Sequence, residues 1–229
     1  MKVKGIIGII LVVISIFSYQ SLGLDKLFNK VNHVSNLENI PTYNGELYVV
    51  VNNNEPNFSK EEINKKSYEK YSSLDYLDRA GSAIAKIGIN LMPTKDRESI
   101  GQVRPTGFVT KKYSHIDGKY LYNRSHLIGF QLTGENANKL NLITGTRTFN
   151  VEGMLPFENM VADYIKETKN HVMYRVSPIY KDDNLVASGV NIEALSVEDN
   201  GKGIKFNVYV FNNEPGVIID YKTGESRLE

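Results

Sequence analysis

The sequence predicts an α+β domain, in which an antiparallel sheet carries a few flanking helices. Two observations lead to this prediction. Short segments rich in Val, Ile, Tyr and Phe recur towards both ends of the chain, which is typical of strands. Between them, residues 157–168 place Phe157, Val161 and Ile165 at helical spacing, which indicates an amphipathic helix.

The strands are predicted from runs of β-branched and aromatic residues that end at turn-forming residues. The predicted strands are residues 46–51, 171–176, 185–197, 204–211 and 217–221. Asn-Gly at 200–201 separates two of them and is a turn signal. Asp-Gly at 117–118 is another, and it predicts a hairpin between residues 108–109 and 120–122.

The remaining segments are predicted from capping residues and composition. Ser59 is a candidate N-cap for a helix over residues 58–71, whose dense charge suits a solvated helix. Residues 77–92 are small and apolar, and they fit a packed loop or a loose helix. Residues 133–146 are rich in Asn, Gly and Thr, which predicts a loop.

The N-terminus has the pattern of a targeting segment. Lys2 and Lys4 precede an apolar run over residues 5–17, as in a secretory signal or a signal anchor. No small-x-small cleavage site follows this run, so cleaved secretion and a retained anchor both stay open. The membrane is expected as a partner only if this segment is retained.

The domain organisation follows from these boundaries. We expect a signal peptide or anchor over residues 1–20, a linker over residues 21–45 and one functional domain over residues 46–229, secreted or held outside the membrane. The chain contains no Cys, which excludes disulfides, thiolate metal sites and a Cys nucleophile. Its net charge is +1, so a polyanion must be bound by local positive charge or through a metal.

The residues that can carry chemistry lie between positions 124 and 158. His126 can take up a proton near neutral pH and is a candidate general base. Asn150 and Glu158 offer an amide and a carboxylate oxygen, which suit Mg²⁺ with water and phosphate in its shell. Arg124 is a forked donor that suits phosphate. Together these residue types fit hydrolysis of a phosphodiester at a site with one metal ion.

Each of these residues also has an ordinary structural interpretation. A histidine that follows an apolar strand is more often a hydrogen-bonded, half-buried side chain than a catalyst. Asn residues in loops form turns, and a Glu near the start of a helix stabilises the helix dipole. The residue types alone leave both interpretations open.

A family resemblance favours the catalytic interpretation. The run NRSH at residues 123–126, with Asn150 24 residues after the histidine and Glu158 eight residues later, resembles the signature of the DNA/RNA non-specific endonucleases. In that family the signature reads Asp-Arg-Gly-His within a ββα-metal finger. The resemblance extends from about residue 81 to about residue 219. Within the family, the sequence is similar to the streptococcal-type secreted or surface DNases.

The resemblance implies a role for each matching residue. His126 would be the general base, Asn150 the direct metal ligand, and Glu158 would act through metal-bound water. Arg124 would contact the phosphate. The implied ion is Mg²⁺, with Mn²⁺ as a substitute, and the implied substrate is DNA, with RNA left open.

Further basic residues are candidates for binding the substrate backbone. Parts of the family have a second phosphate-binding arginine, and Arg104 and Arg147 are the two candidates for it. Lys111 and Lys112 lie in the segment 104–124, which contains five basic residues and one acidic residue. Such a local excess of positive charge can follow a phosphate backbone.

Two departures from the signature leave alternatives open. Asn123 stands where the signature has Asp, which removes a carboxylate near His126, and Ser125 stands where it has Gly. A non-catalytic surface receptor for nucleic acid, derived from a nuclease, is one alternative. A secreted enzyme that uses His126 on a wall polymer is another.

Overall fold

The computed structural model describes Phe28 and residues 31–229, and the expected signal segment, residues 1–20, lies outside the described residues. The chain divides into two compact units, Met1–Asn32 and His33–Glu229. The second unit is an α+β fold, which confirms the predicted class. None of the helices in the described part of the chain has the length and apolarity needed to span a membrane.

The strands of the second unit form one large sheet and two small ones. In chain order the strands are β1 (His33–Val34), β2 (Tyr48–Val51), β3 (Tyr68–Tyr71), β4 (Ala83–Ile87), β5 (Tyr122–His126), β6 (Leu142–Thr146), β7 (Val172–Ile179), β8 (Gly189–Ser196), β9 (Lys205–Phe211), β10 (Val217–Ile219) and β11 (Ser226–Leu228). The large sheet has the order β1-β2-β9-β8-β7-β4-β3. Its neighbours are antiparallel except β1 and β2, which are parallel. β5 pairs with β6, and β10 pairs with β11.

One long helix covers a face of the large sheet. The α-helices of the second unit are α1 (Lys60–Asn64), α2 (Phe130–Thr133) and α3 (Leu155–Thr168), and a π-helical turn (Phe149–Met154) leads into α3. Phe157 of α3 packs edge-on against Tyr48 of β2, with ring centroids 5.0 Å apart, and lies 5.1 Å from Phe206 of β9. Val161 and Ile165, one and two turns further on, are fully buried. The predicted helix at 157–168 is therefore confirmed, because its apolar stripe packs on the sheet.

The opposite face of the large sheet carries a polar network. Glu193 of β8 pairs in register with Asn207, whose side chain points away from the face that Phe206 lies on. The Glu193 carboxylate accepts hydrogen bonds from the Asn57 N–H (2.7 Å) and from Arg175 (3.1 Å). These bonds attach the segment before α1 to the sheet, and they satisfy the buried charge of Glu193.

Two local predictions fail because strand pairing overrides local composition. The helix predicted over 58–71 ends at Asn64, and β3 then pairs with β4 along the sheet edge. Residues 77–92 contain the strand β4, which buries alternate residues, where a packed loop or a loose helix was expected. In both cases the neighbouring strands supply hydrogen bonds that the isolated segment lacks.

The turn predicted at 117–118 is present, because the Leu121 N–H donates to the Lys111 carbonyl (3.0 Å) across it, but the strand pairing predicted between residues 108–109 and 120–122 is not formed. In the described structure, Lys112 and Tyr120 form an isolated antiparallel bridge, and β5 pairs instead with β6. β6 lies within residues 133–146, whose composition predicted a loop. The composition of residues 133–146 did not predict β6, because β5 and β6 pair through backbone hydrogen bonds, which depend little on residue type.

The sheet begins earlier than the sequence indicated. β1 pairs with β2 and belongs to the large sheet, although it lies in the stretch 21–45 that was expected to be a linker. The stretch gives little strand signal because β1 has only two residues at the sheet edge.

One buried amide joins the β5–β6 hairpin to the large sheet. Asn212, just after β9, is fully buried. Its side-chain oxygen accepts from the Thr146 N–H (2.9 Å), and its nitrogen donates to the carbonyls of Thr144 (3.0 Å) and Ala187 (2.9 Å). All three partners are backbone groups, so the side chain of Asn212 replaces a strand that is absent at this junction of the described fold.

A buried carboxylate extends the same junction. Glu214 accepts from the N–H (2.9 Å) and the hydroxyl (2.8 Å) of Thr148 at the start of the π-helical turn. Asn213, between the two, accepts from the Thr146 hydroxyl through its backbone carbonyl (2.6 Å). The chain from β6 to α3 is thus fixed at several successive residues.

We expect Asn212→Ala to lower the free energy of unfolding by about 2–4 kcal/mol, because three buried backbone groups lose their partner. Chemical denaturation of the full chain measures this change. Asn213→Ala is the matched control, since it keeps the backbone carbonyl that takes part in the junction, and it should cost less than about 1 kcal/mol. Equal losses in the two variants would contradict the role assigned to Asn212.

Candidate active site

A cleft of about 780 Å³ contains the residues that the sequence singled out as chemical. His126, Asn150 and Glu158 all line it. Its basic lining residues besides His126 are Arg97, Lys111, Arg124 and Arg147, and within the described chain Glu158 is the one carboxylate that lines it. The cleft is therefore basic although the whole chain is nearly neutral.

The chemical residues come from a ββα finger. β5 ends at His126, β6 runs back beside it, and the chain then enters the π-helical turn and α3. Asn150 lies in the π-helical turn, and Glu158 lies in the first turn of α3. Because the junction at Asn212 fixes the hairpin and the turn together, the three side chains share one rigid frame.

His126 is held in a single orientation. Its Nε2 donates to the backbone carbonyl of Asn136 (2.7 Å), which leaves Nδ1 without a proton in the neutral ring. Arg97 lies 3.4 Å from Nδ1. Burial lowers the pKa of His126 below its ordinary value of 6.5, and the charge of Arg97 lowers it further, although the bond to Asn136 acts in the opposite direction. The imidazole is therefore neutral at pH 7, with Nδ1 as its basic atom.

The asparagines after His126 have structural roles that support this orientation. Asn141 is fully buried and brackets Ile128, accepting from its N–H and donating to its carbonyl, both at 2.9 Å. Asn138 caps a short turn by accepting from the Leu140 N–H (2.9 Å). Asn136 contributes its backbone carbonyl to His126. The amide-rich stretch thus shapes the loop that fixes the histidine.

Glu158 is a buried acid in a basic cleft. Burial raises its pKa to about 7, while a hydrogen bond from Gln131 and the charge of Arg97 offset part of this effect. A Cβ atom at Gly129 would collide with the Glu158 carboxylate, so glycine at this position makes room for it. Without a cation beside it, the carboxyl group is partly protonated near neutral pH.

A divalent metal ion fits these residues. No group of three or more His, Asp or Glu side chains in the described ranges could hold a metal. Asn150 and Glu158 nevertheless present an amide oxygen and a carboxylate to the same cleft, and Mg²⁺ needs only one or two protein oxygens when water and phosphate complete its shell. A cation would also stabilise the charged form of the buried carboxylate.

The predicted phosphate-binding arginines have different surroundings. Arg124 lines the cleft, but it donates to the carbonyls of Gly101 (2.8 Å) and Val103 and lies 4.4 Å above the Phe108 ring, so it also supports the loop before β5. Arg104 is exposed and lies outside the cleft lining. The expectation for Arg104 is not supported by its position.

Arg147 is the second arginine candidate that the cleft contains. Its guanidinium pairs with Asp117 (2.7 Å), and its Nε is buried and has no hydrogen-bond partner in the part of the chain that the structure describes. Lys111 also lines the cleft, whereas Lys112 lies beside it with its Nζ 4.5 Å from the centroid of the Tyr120 ring. An unpartnered guanidinium nitrogen next to a basic cleft suits an anionic ligand.

Arg97 is the functional candidate that the sequence did not reveal. It lies in an irregular polar loop, before β5, where no periodicity or motif distinguishes one basic residue from another. Its contact with His126 arises only in three dimensions. The carbonyl of Asn136 was missed for the same reason, because a backbone group leaves no trace in residue type.

The two departures from the family signature have structural counterparts. Ser125 is fully buried and pairs in register with Ile143. A Cβ atom at Gly145, diagonally opposite on β6, would collide with the Ser125 hydroxyl. Glycine on β6 therefore accommodates the serine on β5. Asn123 lines the cleft, and its amide nitrogen is buried without a hydrogen-bond partner among the described residues.

A ββα finger that presents an oriented neutral histidine, an amide and a buried carboxylate in a basic cleft defines a nuclease of the ββα-finger class. The wider comparison agrees with this class. Residues 56–198, more than half of the chain, match the family model of the DNA/RNA non-specific endonucleases. The chain belongs to this family.

Solved structures show the same fold. NucA from Streptococcus agalactiae with no metal bound aligns with a TM-score of 0.70 and 26% identity over 85% of this chain and 92% of that chain. Its form with a magnesium ion bound aligns with a TM-score of 0.72 and 24% identity over 85% and 94%. The Sda1 nuclease with a bound zinc ion aligns with a TM-score of 0.59 and 30% identity over 71% and 80%. The family membership predicted from the signature is therefore confirmed.

The raised pKa of Glu158 predicts a pH-dependent stability in the metal-free protein. The folded-state pKa of about 7 lies above the ordinary value of 4.5, so the protonated carboxyl stabilises the fold below pH 4.5. This stabilisation is lost as the pH rises through about 7. We expect Glu158→Gln to remove this decline in the free energy of unfolding. Urea denaturation in EDTA over this pH range measures it, and parallel curves for both proteins would exclude a perturbed Glu158.

Proposed function

We propose that this protein is a metal-dependent endonuclease that hydrolyses phosphodiester bonds of DNA without strong sequence preference. The observation that carries the proposal is the orientation of His126. Its Nε2 donates to the Asn136 carbonyl, which leaves Nδ1 unprotonated, and the imidazole lines the basic cleft. This is the arrangement that a general base for an attacking water requires.

In the proposed reaction, Nδ1 of His126 accepts the proton of the water that attacks phosphorus. The lowered pKa keeps the ring in its basic form before the reaction. The carbonyl of Asn136 then stabilises the imidazolium ion through the Nε2–H bond. Arg97 lies beside the base and can turn its guanidinium towards a phosphate oxygen, which would free Nδ1 to accept.

We propose that Asn150 holds the metal ion directly and that Glu158 holds it through bound water. A bound divalent cation would stabilise the negative charge that develops on the phosphate and the leaving oxygen. The hard oxygen donors support Mg²⁺, with Mn²⁺ as a substitute. One related NucA structure contains magnesium, and the Sda1 structure contains zinc.

The substrate backbone would be held by charge. Arg124, Arg147 and Lys111 line the cleft with Arg97, and each can bind a phosphate oxygen without reading a base. This supports cleavage without sequence preference. Two solved relatives of the same fold are described as an extracellular endonuclease and an extracellular nuclease, and the basic-apolar start of the chain fits the same location. We therefore propose that the domain acts outside the cell, secreted or anchored through residues 1–20.

His126→Ala should abolish cleavage of plasmid DNA by the full chain, because the attacking water then has no base. Supercoiled plasmid with Mg²⁺ gives the rate, and EDTA should stop the wild-type reaction. His115→Ala is the matched control, since this exposed histidine lies outside the cleft lining, and it should cut at the wild-type rate. Cleavage by His126→Ala at the wild-type rate would exclude the proposed mechanism.

The pH profile tests the state of the same histidine. Since the base must be unprotonated and its pKa lies below 6.5, kcat/KM should rise with pH and reach its plateau near or below neutral pH. Arg97→Gln removes the positive charge beside the ring. It should move the lower limb of the profile to higher pH. A profile that is identical in both proteins would show that Arg97 does not act on His126.

A further inference from the structure

Three tyrosines, Tyr113, Tyr120 and Tyr122, lie in or near the segment that borders the cleft, and they differ in solvent exposure. Tyr113 and Tyr122 are 9% and 4% exposed, and their hydroxyls are bonded to Ser226 and to the Gly224 carbonyl. Tyr120 is 47% exposed and lines the cleft. It is the one exposed large apolar side chain of the described residues that does so.

The segment that carries Tyr120 is held by the burial and the backbone hydrogen bonds of the next residue. Leu121, the next residue, is fully buried in the cluster that includes Tyr122. Its N–H donates to the Lys111 carbonyl (3.0 Å), and its own carbonyl accepts from the Arg147 N–H (2.8 Å). The backbone that carries the exposed Tyr120 ring is therefore held in place on both sides, and this segment loses little conformational entropy when a ligand covers the ring.

Positive charge surrounds the exposed ring. Lys112 pairs with Tyr120 across the bridge and places its Nζ 4.5 Å from the ring centroid, over one face. Lys111 and Arg147 line the same cleft. Asp117, the acidic residue of this segment, is already paired with Arg147. A ligand that combines a flat apolar face with a negative charge matches these surroundings, and a nucleotide has both.

We propose that Tyr120 is a stacking platform for a nucleobase next to the phosphate bound in the cleft, and that it favours unpaired strands over duplex. This inference rests on the proposed function. With Lys112 over one face, nearly half of the residue remains exposed for a single base. In a duplex both faces of each base are covered by its neighbours, whereas an unpaired base can leave its stack at small cost.

The test compares one oligonucleotide, single-stranded and as a duplex, with Mg²⁺ and the full chain. Tyr120→Ala should lower the ratio of kcat/KM for the single strand to kcat/KM for the duplex by about tenfold, mainly through KM, because one base–aromatic stack is lost. Tyr120→Phe keeps the ring and should keep the wild-type ratio. Tyr120→Leu keeps apolar bulk without a π face and should behave like the alanine variant, which covers the case in which alanine impairs folding.

Tyr76→Ala is the matched control, because Tyr76 is 80% exposed and lies outside the cleft lining. Its ratio should equal that of the wild type. An unchanged ratio in the folded alanine and leucine variants, or equal losses on both substrates, would overturn the stacking role. If the wild type cut neither substrate, the proposed function itself would fail, and this outcome is distinct from the loss of a preference.

Discussion

The candidate active site depends on the buried junction between the end of β9 and the β5–β6 hairpin. A two-stranded hairpin is only marginally stable by itself, since it has little core of its own. Asn212 supplies the hydrogen bonds that a neighbouring strand would give, and Glu214 fixes the chain where it leaves the hairpin for α3. The rigid sheet thereby determines where His126, Asn150 and Glu158 lie. A loss at this junction would affect the geometry of the site and the stability of the fold together.

The elements that contain a strong hydrophobic period or a strong motif are predictable from the sequence. The helix α3 was predicted from its apolar stripe, and the strands β2, β8 and β9 from their β-branched runs, because burial of these side chains is what holds the elements together. The strand β6 was missed, since its role in pairing is carried by backbone groups. The bond from His126 to the Asn136 carbonyl and the contact of Arg97 with His126 are likewise not encoded in residue type, because both depend on how the chain folds.

The family signature predicted the histidine and the two metal-site candidates, but the sequence could not explain its own departures. Ser125 in place of glycine is accommodated by Gly145 on the opposite strand, which composition assigned to a loop. Positions 125 and 145 are distant in the sequence, and only the pairing of β5 with β6 brings them into contact. The substitution on one strand and the glycine on the other form a single packing solution.

Burial acts on His126 and Glu158 in opposite directions and disfavours the charged form of each. It lowers the pKa of His126 and raises that of Glu158, because a charge on either group would lose its hydration. The arginines around them then leave an excess of positive charge without a cation bound. In the proposed reaction, phosphate would neutralise this excess, and Asn150 and Glu158 would hold a divalent cation whose charge favours the ionised carboxylate. Each ligand would thus improve the electrostatic surroundings of the other, and the proposed metal site would need few carboxylates for that reason.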